Sequence, residues 1–326
     1  MKLAIAVEAW PIAGTFTIAR GSKTQAEVVV VTLTSKGISG HGECVPYRRY
    51  GETIESVCAQ IEAARSAIEA GIDTTGLIDA MPAGAARNAV DAALIDLACK
   101  LSGMRAWELL GLAAPQPKPT CFTISLDSPD AMADAARAAF GRPILKLKLG
   151  RDREDVARTR AVRRAVPDVR LVVDANEGWT IDDLSLMAPD LAQLGVEMIE
   201  QPLPADQDEA LGTYRSPVPL CADESAHGID TLALIATRYQ AINLKLDKTG
   251  GLTSALRVAK AAQDLGLSIM LGCMVGTSLS MAPATILLDF ASIVDLDGPL
   301  LLARDRNPGL EYENALVLAP RATLWG

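Results

Sequence analysis

Eight strand-like stretches recur along the last two-thirds of the chain, at 120–125, 144–149, 170–174, 196–200, 219–223, 241–246, 268–272 and 291–295. A polar or small residue stands near the C-terminal end of each: Thr123, Lys148, Asp174, Glu200, Asp223, Lys245, Cys273 and Asp295. Successive members are 22 to 28 residues apart. That step is the length of one strand–helix unit, and eight such units close a (β/α)8-type barrel. In that fold the C-terminal strand ends carry the chemistry, so these eight residues are expected to converge on one pocket.

The region before the repeat reads differently. Alternating runs at 16–20 and 26–34, broken by Gly21 and Gly37, predict antiparallel strands. Helical patterning follows over 53–71 and 83–99. Strands followed by helices describe an α+β domain. The Ala- and Pro-rich stretch 112–119 is a connector. The expected layout is an α+β capping domain over 1–115 and a barrel over 116–310, with 311–326 returning to the first domain, there as one more strand.

Hydrophobic residues make up 49% of the chain but aromatics only 4%, which suits Ala- and Leu-rich helices over buried parallel strands. The net charge of −9 and the absence of a basic stripe exclude nucleic acid as an expected partner. No stretch is long and apolar enough to span a membrane, and residues 1–11 read as a strand rather than a leader. The six cysteines are scattered without a CxxC pair, which predicts free thiols and a cytoplasmic protein. Either oligomeric state is compatible with the sequence, a homo-oligomer included.

The run 144–150 alternates leucine and lysine. A strand puts every second side chain on one face, so Lys146 and Lys148 point together and Leu145, Leu147 and Leu149 point away. An amphipathic strand with a solvated face accounts for this run taken alone. The acids downstream favour chemistry. Asp174, Glu200 and Asp223 end three successive strands, and three such carboxylates repel one another unless a cation lies between them. All-oxygen ligation favours Mg²⁺, with Mn²⁺ as a substitute. Helix N-capping is the alternative for any single Asp, and Glu200 suits it poorly. Lys148 lies one strand before the acids and Lys245 one strand after, on opposite barrel walls. Two amines facing one carbon from opposite sides are what inversion of a stereocentre requires. A carboxylate on that carbon could chelate the metal, which would stabilise the enolate formed on proton loss. Lys146 is expected to support the reaction by lowering the pKa of Lys148. Lys248 is expected in a loop.

Lys-Leu-Lys at 146–148, Asp-Ala-Asn at 174–176, Glu-Gln-Pro at 200–202, Ala-Asp-Glu-Ser at 222–225 and the run 243–251, in this order, resemble the enolase superfamily, muconate-lactonizing subgroup. The resemblance covers nearly the whole chain. It implies a modified TIM barrel, (β/α)7β, under an N-terminal capping domain, so one of the eight helices is expected to be missing or irregular. It implies Asp174, Glu200 and Asp223 as Mg²⁺ ligands and Lys148 and Lys245 as the acid/base pair. Racemases, cycloisomerases, o-succinylbenzoate synthases and N-acylamino acid racemases share this constellation.

Other stretches select among these reactions. Asp295 and Asp297 lie two residues apart after the eighth strand, where two acids suit a substrate ammonium; a polar turn before Gly298 is the alternative. This Asp-x-Asp resembles the dipeptide epimerases, where it holds the α-ammonium of the N-terminal residue. Residues 16–22, 46–52 and 271–274 are similar to the L-Ala-D/L-Glu epimerases of murein peptide recycling. The resemblance implies a small dipeptide substrate, with Arg20 meeting an acidic side chain on its second residue unless it is a surface arginine. Thr123, Cys273 and Met274 are expected to line the pocket, although packing accounts equally well for Met274. His41 and His227 fall off the strand ends and are expected to be structural.

Overall fold

A computed structural model describes residues 1–150 and 152–326. Three antiparallel strands open the chain: β1 (Lys2–Ile18), β2 (Gly21–Ser35) and β3 (Ile38–Cys44). The first strand runs on past Pro11, with a register irregularity between Pro11 and Phe16, so the β1–β2 hairpin is longer than the alternation predicts. The helix Ala85–Ser102 packs on β3 and is buried nearly all round. Its backbone lies so close that a Cβ on Gly42 would stand 2.1 Å from the Ala89 carbonyl oxygen. Only glycine permits that approach.

After β4 (Lys118–Pro119) come the eight parallel strands of the repeat. They are β5 (Phe122–Ile124), β6 (Ile144–Lys148), β7 (Arg170–Asp174), β8 (Val196–Glu200), β9 (Leu220–Ala222), β10 (Ala241–Leu244), β11 (Ser268–Leu271) and β12 (Ile293–Val294). They pair in sequence order. A parallel bridge between Thr120 and Val294 joins the two ends, with Cys121 N donating to Val294 O at 2.7 Å. The connection from β8 to β9 holds only a 3-10 turn, Glu209–Gly212, and a 3-10 turn, Gly298–Leu301, follows β12. The connection from β11 to β12 is irregular too, a four-residue helix, Ser278–Met281, followed by a 3-10 helix, Pro283–Phe290. The helix ring thus departs from regularity at more places than the one the family resemblance implies.

Leu145, Leu147 and Leu149 pack outward into the main core. Cys121, Ile144, Val172, Met198, Cys221, Ala241, Met270 and Ile293, one from each unit, form an apolar floor inside the barrel. Two residues further along, the inward positions turn polar. Thr123, Lys146, Asp174, Glu200, Asp223, Asn243, Gly272 and Asp295 occupy them, and Lys148 and Lys245 lie one inward position nearer the mouth.

The tail departs from the expected returning strand. Leu316–Val317 (β14) pairs with Tyr312–Glu313 (β13) and with β4, not with the N-terminal sheet. The return is made instead by side chain and terminus. Trp325 Nε1 donates to Ala92 O at 3.0 Å, and Gly326 N donates to Asp96 at 2.8 Å.

Candidate active site

The polar layer lies beneath an open cavity of about 1300 Å³ between the barrel mouth and the β1–β2 hairpin. Lys148, Lys245 and Asp223 line it from the barrel, Arg20 from the hairpin, and Cys273 and Met274 from the loop after β11. Thr123, Asp174, Glu200, Asp295 and Asp297 are buried below or beside it.

The two lysines stand on β6 and just beyond β10, four places apart in an eight-stranded ring and thus on opposite walls. Each donates to an acid on the next strand toward the centre of the cluster. Lys148 Nζ donates to Asp174 Oδ2 and Lys245 Nζ to Asp223 Oδ2, both at 2.6 Å. Lys248 is not in a loop; it sits in the short buried helix Leu246–Thr249. Its ammonium donates to Asp223 Oδ1 at 2.7 Å and to two backbone carbonyls, which fits an anchor for Asp223. Lys146 lies deepest, 2.6 Å from Glu200 Oε2, 2.7 Å from Asp295 Oδ2 and 3.4 Å from Asp174 Oδ2. It therefore touches the same carboxylate as Lys148.

Burial pulls Lys146 and Lys245 toward the neutral form, but the surrounding carboxylates outweigh it and both pKa values are raised. Burial pushes Asp174 and Asp223 up, yet their lysine partners hold both below the usual carboxylate range. Glu200 goes the other way, raised by burial and by Asp174. Asp297 is pushed up to about 7 by burial and by Asp295, and its Oδ2 accepts from Thr123 N at 2.7 Å.

The donor chemistry fits a hard divalent cation. The acids are oxygen ligands, and Glu200 Oε2, Glu224 Oε2, Asn176 Oδ1 and Asp295 Oδ1 are buried without an aligned hydrogen bond. Among the described residues no three His, Cys, Asp or Glu side chains are already grouped as a metal-ligating set. The carboxylates contact lysine ammonium groups. Glu200 and Asp174 converge on one cation, that of Lys146.

Several working parts escaped the sequence reading. Asn243 Nδ2 donates to Glu200 Oε1 at 2.6 Å, and the missing Cβ of Gly272 leaves it room. Gln201 bolts two strand ends together, its Oε1 accepting from Asp223 N and Ser225 N. Asn176, Glu177 and Gln201 adopt positive φ values of 47°, 64° and 34°, a strained backbone directly after two of the acids. Arg20 does reach the site, but its guanidinium donates to Glu224, Glu177, Tyr47 and the Asn176 carbonyl. Glu224, pushed up to about 7 by burial and by Asp223, is thus tied to Arg20.

Residues 130–322 match the family described as enolase C-terminal domain-like, and residues 1–111 match the mandelate racemase / muconate lactonizing enzyme N-terminal domain. The chain is 46% identical to an L-Ala-D/L-Glu epimerase of Escherichia coli over 94% of this chain and 95% of that protein. It is 44% identical to an N-acetyl-D-glutamate racemase of a Pseudoalteromonas species over 92% and 95%. Among solved structures, an Agrobacterium tumefaciens enolase family member with homology to dipeptide epimerases, with sodium and L-Ala-L-Glu bound, is 50% identical. It superposes with a TM-score of 0.97 over 99% of both chains. A dipeptide epimerase of Enterococcus faecalis, complexed with Mg and L-Leu-L-Tyr, is 28% identical with a TM-score of 0.90 over 98% and 97%.

Proposed function

The chain belongs to the mandelate racemase / muconate lactonizing enzyme family, and from that premise we propose that it epimerises dipeptides of the L-Ala-L/D-Glu type at the glutamyl α-carbon. One observation supports this most. Two buried ammonium groups stand on opposite walls, each bound to a carboxylate of the cluster between them. One side chain takes the α-proton from one face, and the other returns a proton to the opposite face. Lys148 serves the L-glutamyl face and Lys245 the D-glutamyl face.

Asp174, Glu200 and Asp223 would hold a divalent cation, Mg²⁺ or Mn²⁺, whose charge would stabilise the negative charge that builds on the substrate as the proton leaves. When Asp223 turns its charge away from Lys245, burial favours the neutral amine that a base requires. Asp295 keeps one oxygen unpartnered, and with Asp297 it supplies negative charge for the alanyl ammonium. Arg20 brings positive charge to the hairpin side, toward the glutamyl side chain. Thr123, Cys273 and Met274 shape the pocket. Among the described residues no helix is long and apolar enough to cross a membrane, and the setting proposed is cytoplasmic recycling of murein peptides.

The Pseudoalteromonas relative favours one second reading, racemisation of an N-acylated glutamate. Proton NMR in D2O separates the two. With Mg²⁺ or Mn²⁺ present, L-Ala-L-Glu should lose its glutamyl α-proton signal and yield L-Ala-D-Glu, and EDTA should stop both. Exchange confined to N-acetylglutamate would favour the second reading, and no exchange with either substrate and either metal would overturn both.

A further inference from the structure

Asp174 and Glu200 are the last residues of β7 and β8, and the strand ladder holds them opposite one another. Asp223 stands one residue beyond β9, past the last paired position of that strand, Ala222. Its backbone is held instead by a side chain. Gln201 Oε1 accepts from Asp223 N at 2.8 Å and from Ser225 N at 3.1 Å.

Behind Gln201 lies a chain of polar groups that the reaction does not use. Gln201 Nε2 donates to Leu203 O at 2.8 Å, to Ser225 Oγ at 2.9 Å and to Tyr239 OH at 3.1 Å. Both hydroxyls donate in turn to Asp208 Oδ2, each at 2.7 Å. Asp208 Oδ1 accepts from the Arg238 guanidinium. Gln201, Asp208 and Tyr239 are buried, and they and Ser225 lie outside the cavity lining.

We propose that Asp208 and Tyr239 are positioning residues for the Asp223 carboxylate, acting on it through the Gln201 amide. The proposal rests on the reading of Asp223 as a metal ligand and deepens it by naming what holds that ligand in place.

Proton direction carries the effect. A carboxylate only accepts, so Asp208 draws the hydroxyl hydrogens of Ser225 and Tyr239 toward itself. Their lone pairs are then left for a donor, and Gln201 must present its NH2 to them. The amide carbonyl is thereby turned to the Asp223 and Ser225 N–H groups. With the amide reversed, its NH2 would meet two N–H groups, and its oxygen would meet two hydroxyls with no proton left to give. Burial pushes the Tyr239 phenol up, so it stays a donor. Gln201 also follows Glu200 directly, at a φ of 34°. One residue therefore adjoins one acid through the backbone and holds the next through its side chain.

The test is Mn²⁺ binding by the metal-free whole chain, without substrate, read from the free-ion electron paramagnetic resonance signal in Asp208→Asn and Tyr239→Phe. Asp208→Asn replaces an acceptor-only group by one that also donates, and it should weaken Mn²⁺ binding about 10- to 100-fold. Tyr239→Phe keeps the ring and removes one hydrogen-bonding group, and it should weaken binding about 2- to 10-fold. Saturating Mn²⁺ should restore most of kcat, and KM for L-Ala-L-Glu should stay near wild type, since neither side chain lines the cavity. A role in folding alone would lower the melting temperature and leave Mn²⁺ affinity as it was. Unchanged affinity in both variants overturns the proposal, and if Asp208→Asn does not fold, unchanged affinity in Tyr239→Phe suffices to overturn it. A wild-type chain that binds no Mn²⁺ is a different result, and it counts against Asp223 as a metal ligand.

Discussion

Lys146 is a buried cation whose nearest charges are all carboxylates, those of Glu200, Asp295 and Asp174. Removing one member of such a group leaves charge buried without compensation. Lys146→Met should cost about 3–5 kcal/mol of unfolding free energy in metal-free protein, measured by urea denaturation. A loss under about 1 kcal/mol would show that this ammonium does not balance the acids. At this scale the sequence was legible wherever backbone periodicity decides direction. A period of two placed Lys146 and Lys148 together inside the barrel, and it applied equally to Asn243, two residues before Lys245. The engagement of Arg20 with Glu177 and Glu224 was not legible, because it arises only when the hairpin folds over the barrel mouth, a contact between segments far apart in the chain.

The helix Ala85–Ser102 is the element that joins the N-terminal sheet to the barrel, and it does so with buried polar groups. Asn88 Nδ2 donates to Asp247 Oδ1 at 2.8 Å, Arg87 donates to the Thr249 and Gly250 carbonyls, and Asp91 accepts from Thr253. Burial raises Asp91 to about 6 and Asp247 to about 7. An acid whose folded pKa lies above its unfolded value binds more protons when folded, so stability falls as pH rises from about 4 toward 7. Asp247→Asn should flatten that slope and recover on the order of 3 kcal/mol at pH 8 relative to wild type, read from unfolding curves across pH. A slope identical in both proteins would contradict the assigned burial. Elements with strong local pattern were legible: all eight barrel strands lie within or at the edges of their predicted runs. The helical stretch 53–71 is two helices, Ile54–Ala63 and Arg65–Ala70, where Arg65 reaches the Leu3 carbonyl. That break, like the 3-10 turn between β8 and β9, depends on tertiary contacts that periodicity does not carry.

At the scale of the molecule, the 22-to-28-residue repeat was enough to indicate a barrel, because closing the ring needs eight similar units more than any particular residue. Ring closure makes β6 and β10 opposite walls and so aims Lys148 and Lys245 at one another across the acids. Which lysine each carboxylate pairs with was not legible, since sequence spacing does not say which ammonium a side chain will turn to. The account stands on the two faces of that arrangement. Glutamyl α-proton exchange in D2O, measured separately on L-Ala-L-Glu and L-Ala-D-Glu with the Lys148→Ala and Lys245→Ala enzymes, tests it most directly. Both variants should lose epimerisation, while Lys148→Ala keeps exchange only on the D-glutamyl isomer and Lys245→Ala only on the L-glutamyl isomer. Exchange of the same isomer by both variants would contradict the placement of the two lysines on opposite sides of the reacting carbon.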